Sequence, residues 1–255
     1  MATPGRRYNY WLGGKDNFVA DRESGDQIAA VFPTIGTAVR ENRSFLRRAV
    51  TFLTEQAGVR QFLDVGVGLP MADNVHKVAQ GIAPDSRIVY VDNDPLVLAH
   101  SPALLDGSPE GATAYVDADL REPDKILRDA AVRGTLDFSR PVALMLVAVL
   151  HFMPDEDDPY GIVARLVAAL PAGSYMVMSH LTHDFFKPEL RADLSKVLDG
   201  VFWHRSRAQF ARFLDGLELE SPGIVPVTEW RAETEPQPRP NAAEVGLYGA
   251  VARVP

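Results

Sequence analysis

The sequence has no cysteine. That excludes a disulfide framework, a thiolate metal site and a cysteine nucleophile. It also lacks a long apolar run. The longest, Val142 to Leu150, is far short of the roughly 20 residues that a membrane helix needs. The first residues, Met-Ala-Thr-Pro-Gly-Arg-Arg-Tyr, carry no apolar run behind their basic pair, so they do not read as a secretory signal. Positive charge is in deficit: 26 Lys and Arg face 34 Asp and Glu, a formal net charge of -8. A phosphate-tracking surface usually needs a basic excess, so nucleic acid is not an expected partner. No internal repeat is visible. The only low-complexity patch is Glu233 to Asn241, whose alternating Pro236, Pro238 and Pro240 mark an exposed loop. These absences leave a soluble, cytoplasmic protein as the expectation.

What is present is globular. The 255 residues are 46% hydrophobic and 24% charged, ordinary for a folded domain of α/β size. From Phe62 onward, short apolar runs alternate with amphipathic segments. Strands are expected at Phe62–Val65, Ile88–Val91, Thr113–Val116, Val142–Val149 and Tyr175–Ser179. Between them, helices are expected at 72–79, after Asp94-Pro95, over Pro123–Ala131 and after Asp158-Pro159. Such alternation implies a parallel sheet covered by helices. Pro188–Leu198 reads as a further helix, and Ser206 with Gln209 forms a capping box that opens another. Leu217–Glu220 and Val245–Ala252 are the expected last strands. The stretch before Gln61 differs. Thr37–Leu53 is amphipathic, but Arg6–Phe18 is rich in aromatics, glycine and charge without clear periodicity.

Three strand ends carry the chemistry. Phe62-Leu63-Asp64-Val65-Gly66-Val67-Gly68 is a buried strand running into an acidic residue and a Gly-x-Gly turn. Glycines there let the backbone approach a ligand that a β-carbon would block. Asp64, beneath the turn, can accept from N–H groups or from a ligand ammonium. Asp92 ends the second strand, one helix downstream of Gly68, where a carboxylate can take both hydroxyls of a ribose. Asp119, after the third strand, can accept from the amino group of an adenine. A dinucleotide site is the competitor. Its fingerprint needs Gly or Ala where this chain has Met71, Pro70 removes an amide from the turn, and an acidic residue before the turn repels a pyrophosphate. The pattern favours S-adenosylmethionine over NAD.

These motifs resemble those of class I S-adenosylmethionine-dependent methyltransferases. More closely, the chain is similar to the actinobacterial S-adenosyl methyltransferase family catalogued as DUF574. The match is carried by Tyr8 through Phe18, Asn42-Arg43, Phe62 to Gly66, Asn74-Val75-His76, Val89 to Pro95, Leu150-His151-Phe152 and Gly173-Ser174-Tyr175. The resemblance implies a Rossmann-like fold: a mostly parallel seven-stranded sheet, its last strand antiparallel, with helices on both faces. An N-terminal lid and helix (1–60) would pack on a core domain (61–255). It implies S-adenosylmethionine as cofactor, with Gly66 and Gly68 along the methionine part, Asp92 at the ribose, and Asp119 and Leu120 flanking the adenine; Asn93, next to Asp92, is a further cofactor-binding candidate. Pro70, where many class I enzymes have a third glycine, is a departure.

Other residues have two readings each. Arg43 could bind the methionine carboxylate or pair with surface carboxylates. The segment with Tyr10 and Gly14 could be a lid touching the cofactor, or static packing. His151, after the fourth strand, could deprotonate an acceptor or merely orient the loop and Phe152. Asp94 reads better as a helix cap than as a ligand contact. His180 and His183 are weaker catalytic candidates, and irregular spacing argues against a metal site. Phe202, Trp203, Phe210 and Phe213 could line an acceptor pocket or belong to the core. The expected function is methyl transfer to an oxygen or nitrogen of a small molecule, by in-line attack on the sulfonium carbon. The alternatives are a non-catalytic S-adenosylmethionine-binding module and an NAD-linked oxidoreductase. The family defines no methyl acceptor.

Overall fold

A computed structural model describes residues 2–71, 73–104, 106–198 and 200–255. Three helices come first: α1 (Pro4–Trp11), α2 (Val19–Val31) and α3 (Ile35–Glu55). The sheet then begins with β1 (Gln61–Val65), followed by α4 (Val75–Ile82), β2 (Arg87–Asp92), α5 (Pro95–Leu104), β3 (Ala112–Asp117), α6 (Pro123–Arg128), α7 (Ala130–Thr135) and β4 (Ala143–Val147). After α8 (Pro159–Val167) and β5 (Tyr175–Leu181) come α9 (Pro188–Leu198), α10 (Arg207–Arg212), β6 (Glu218–Leu219), β7 (Val225–Pro226), α11 (Ala242–Val245) and β8 (Leu247–Arg253).

The strand order is β3-β2-β1-β4-β5-β8-β6, with β7 also pairing to β8. β1 to β5 run parallel, and β8 runs antiparallel to β5. The eighth strand, beyond the seven expected, is the short β7. β1 lies between β2 and β4, so the chain direction across the sheet reverses there, and the crevice beyond the carboxyl ends of β1, β2 and β4 is where such sheets hold ligands. β4 is almost wholly buried, which is why it reads as a continuous apolar run, and β1 is buried throughout although it carries Gln61 and Asp64.

Two expected elements are broken by identifiable residues. The helix expected over Pro123–Ala131 is interrupted at Asp129, whose backbone is extended and whose carboxylate caps the next helix by accepting from Ala131 N at 2.7 Å. The strand expected to reach Val149 ends at Val147, because Ala148 adopts a left-handed φ of 56°. The helix expected over 72–79 opens at Val75 instead, and Ala72 lies outside the described residues.

The stretch before the sheet holds more helix than its pattern suggests. α2 turns Asp21, Gly25 and Ile28 inward, a helical stripe in which only Ile28 is a large apolar residue. α1 buries Arg7 and Asn9. α3 supplies the apolar face: Phe45, Leu46, Ala49, Val50 and Leu53 enter the same core cluster as Phe62, Tyr90, Met145 and Val251 of the sheet.

Candidate functional site

The carboxyl ends of β1, β2 and β4 open into a cleft of about 810 Å³. Its floor is Asp64 to Leu69. At Gly66, φ is 80°, and an added Cβ would lie 2.5 Å from Val149 Cγ2, so both backbone conformation and space require glycine. Gly68, with φ 66°, donates its N–H to Asp92 Oδ2 at 2.8 Å. The other oxygen of Asp92 accepts from Asp94 N at 2.9 Å. One carboxylate thus ties the turn after β1 to the turn after β2. Burial raises the Asp92 pKa, and the two amides counter it by favouring the charged form.

Asp64 is a different case. It is 5% exposed and lines the cleft, yet its carboxylate accepts no hydrogen bond from any described residue. Burial pushes its pKa up to about 7; Arg43 pulls it down and Asp92 adds to the rise. A buried carboxylate left without a donor is costly, and a cationic ligand group beside it removes that cost.

The residues expected beside the ribose and adenine, Asn93, Asp119 and Leu120, lie together at the cleft, though not free. Asn93 Nδ2 donates to Asp119 Oδ2 at 2.7 Å, and the Asp119 carboxylate also accepts from Arg121 N at 2.8 Å. Arg121 spans Asp119 and Asp157. Leu120 forms part of the cleft wall. Arg43 reaches the cleft from α3, but its guanidinium holds Asp73 Oδ1 at 2.6 Å and Asn74 Oδ1 at 3.3 Å. Asp94 caps α5 by accepting from Leu96 N at 2.9 Å, and its second oxygen accepts from Thr3 Oγ1 at 2.8 Å.

Three expected site residues are not brought to this cleft. Tyr10 points away from it; its hydroxyl donates to Asp26 of α2 at 2.7 Å, in an exposed contact. Gly14 lies in the turn after α1, its N–H donating to Asn9 O and its carbonyl accepting from Asn17 Nδ2. The helical path of α1 is the reason: it presents Pro4, Gly5, Tyr8 and Asn9 to the cleft and turns Tyr10 outward. His151 does not line the cleft either. It faces a small second cavity and stacks on Phe202 at 5.4 Å between ring centres. Burial holds its pKa well below the ordinary imidazole value, as do the neighbouring His180, His204, Arg205 and Arg7. His180 has a fixed structural role: Nδ1 donates to Leu181 O and Nε2 accepts from Arg205. Of the aromatics weighed for an acceptor pocket, Phe202 lines the second cavity, while Phe210 and Phe213 are core.

The residues that pattern reading missed are those of the first turn of α1. Thr3, Pro4, Gly5 and Arg6 lie over the Gly66–Gly68 turn; a Cβ on Gly5 would meet Gly68 Cα at 3.5 Å. Pro4 just after the cap position Thr3 was the available signal of a helix start. Behind them runs a buried chain of hydrogen bonds. Ala148 N donates to Ser179 Oγ, Ser179 Oγ to Asn42 Oδ1, Asn42 Nδ2 to Tyr8 Oη, and Tyr8 Oη to Val39 O. It joins the end of β4 to β5, α3 and α1 at one wall of the cleft.

A family model described as S-adenosyl methyltransferase matches residues 1–255. The chain belongs to the S-adenosyl methyltransferase family. It is an enzyme family, and the cofactor of this methyltransferase is S-adenosylmethionine. Among solved structures, the methyltransferase is similar to a DUF574 family protein from Streptomyces avermitilis, at 44% identity and a TM-score of 0.96, covering 100% of this chain and 98% of that one. A methyltransferase candidate from Thermobifida fusca is 39% identical, with a TM-score of 0.91 and coverage of 100% and 95%. Magnesium protoporphyrin IX methyltransferase from Synechocystis, solved with S-adenosylhomocysteine, shares the fold at 11% identity and a TM-score of 0.57, covering 98% and 93%. No curated protein matches the chain. No helix among the described residues is long and apolar enough to cross a membrane.

Proposed function

We propose that the cleft at the carboxyl ends of β1, β2 and β4 holds S-adenosylmethionine, and that the first turn of α1 closes over it. The supporting observation is Asp64: a buried carboxylate with no donor among the described residues, facing a turn that only glycine can make. Its charge suits a ligand ammonium. Gly66 and Gly68 give the methionine part room, Asp92 and Asn93 offer acceptors and a donor to the ribose, and Asp119 and Leu120 border the adenine. Arg43 reaches the carboxylate end by exchanging Asp73, a half-exposed partner whose loss costs little.

Bound there, S-adenosylmethionine supplies a methyl group already activated by the positive sulfonium. The protein's own work is then to bind, orient and exclude water. Val149, Phe152 and Met153 wall the cleft at the end of β4, and Thr3, Arg6 and Phe18 cover it. The acceptor is a small molecule entering this enclosed cleft, and the reaction is cytoplasmic. Calorimetric titration with S-adenosylmethionine, S-adenosylhomocysteine and NAD tests the reading. The first two bind, and Asp92→Ala weakens both by about 10- to 100-fold, the cost of about 1.5–3 kcal/mol for a hydrogen-bonded charge. Selective binding of NAD overturns it.

A further inference from the structure

Beside the cofactor cleft lies a second cavity of about 50 Å³. The two share Pro4, Tyr8, Asn42, Ala148 and Phe152, so the second opens off the wall made by the buried hydrogen-bond chain. Its lining is apolar, drawn from α2, α3, α9 and β8, with Phe32, Phe186, Leu198 and Phe202 prominent. No Asp, Glu, Lys or Arg among the described residues lines it. The wall is not wholly inert. His151 Nδ1 and His204 Nε2 are buried nitrogens without a hydrogen-bond partner, and both residues line the cavity. Both imidazoles stay uncharged at neutral pH because burial depresses their pKa, that of His204 to about 3.

The charges of the neighbouring cleft are also accounted for. Arg43 and Arg121 each sit on carboxylates, and Arg6 lies within 3.7 Å of Asp21 and Asp94. The rest of the cleft is acidic: Asp64, Asp92 and Asp119. An anionic acceptor would meet carboxylates in the cleft and an apolar lining in the chamber, with the Arg7 guanidinium behind it at 5.6 Å from the Phe202 ring centre. A cationic one would leave water for that same apolar wall. Either carries the penalty of burying an unpaired charge.

We propose that this chamber anchors the methyl acceptor, and that the acceptor is an uncharged molecule with a compact apolar end, of which a single-ring phenol is the simplest case. The apolar end enters the chamber beside the touching rings of Phe152 and Phe202, whose centres are 5.0 Å apart, and the group to be methylated stays in the cleft. The volume admits a short substituent or a ring edge rather than a fused ring system. This inference rests on the cofactor reading of the larger cleft.

The test uses the full chain saturated with S-adenosylhomocysteine, whose own binding is measured first. Failure of that first titration counts against the cofactor reading and not against the chamber. The loaded protein is then titrated with 4-ethylphenol, 4-hydroxyphenylacetate and tyramine, which differ mainly in the charge at one end. The neutral phenol is expected to bind at least tenfold tighter than either charged analogue. Phe202→Lys, which puts a charge in the chamber, abolishes that preference while S-adenosylhomocysteine still binds. Ile35→Trp, at a partly buried wall position, weakens the phenol by filling space. Equal or tighter binding of a charged analogue, no binding of the phenol to the loaded protein, or unchanged affinity in both variants overturns the proposal.

Discussion

Asp64 is the residue on which cofactor affinity should turn with pH. Its pKa of about 7 means that the empty cleft holds a largely protonated carboxyl in mildly acidic solution. A ligand ammonium favours the ionised form, so binding below pH 7 must release a proton. Affinity for S-adenosylhomocysteine is therefore expected to rise by up to about tenfold per pH unit toward pH 7, and to level off above it. Calorimetry at pH 6 in two buffers of different ionisation enthalpy reads that proton directly. An Asp64→Asn variant should bind weakly and without pH dependence over the same range. Proton uptake, or none, would remove Asp64 from the ammonium end. The place of Asp64 at the cleft was legible in the sequence because a carboxylate before a Gly-x-Gly turn ends a strand where such sheets open to ligands. Tyr10 was not, since aromatic and glycine content says nothing about which way a helix faces.

At the scale of elements, α1 is held by neighbours rather than by its own pattern. The Asp21 carboxylate, 1% exposed, accepts from Thr3 N at 2.9 Å and from Phe18 N at 2.8 Å. It caps α2 and pins the start of α1 with one side chain. Thr3 in turn bonds Asp94 at the start of α5. Replacing Asp21 with alanine leaves two amides without their acceptor, at a cost of about 1–3 kcal/mol. The expected result is faster tryptic cleavage after Arg6 or Arg7 and weaker S-adenosylhomocysteine binding, with the sheet's unfolding little changed. Equal cleavage rates in the variant and the parent would show that α1 is not held this way. The β-strands and α3 were readable because apolar periodicity marks them. α1 and α2 were not, because what they bury is Arg7, Asn9, Asp21 and Gly25, residues that a search for apolar stripes passes over.

Across the whole molecule, buried titratable groups give stability a pH dependence of opposing parts. His76 and His180 have pKa values lowered by burial to about 4 and about 3. Each stays neutral in the fold, while the unfolded chain takes up a proton below about pH 6.5. Their stabilising share is complete above that pH and is lost as pH falls, about 2 kcal/mol each between pH 7 and pH 5. His204 acts in the same direction. Asp64 has the opposite sign. Its folded pKa is raised, so its share is complete below about pH 4 and is lost as pH rises through 7. Between pH 7 and pH 5 it returns about 2 kcal/mol, which offsets only one of the histidines. The ligand-free protein should therefore be less stable at pH 5 than at pH 7 in urea unfolding, because the lowered imidazoles, His151 and His183 among them, outnumber Asp64. Two variants separate the parts. His76→Gln removes one falling share and should shrink the difference by about 2 kcal/mol. Asp64→Asn removes the compensating share and should widen it by a similar amount. If Asp64→Asn leaves the difference unchanged, its carboxyl is already ionised in the empty cleft, and the acidic floor needs no ligand to hold its charge. If the difference widens, the cleft carries an energetic cost that a cationic ligand relieves, and sensitivity to acid and affinity for the cofactor come from the same buried carboxylate.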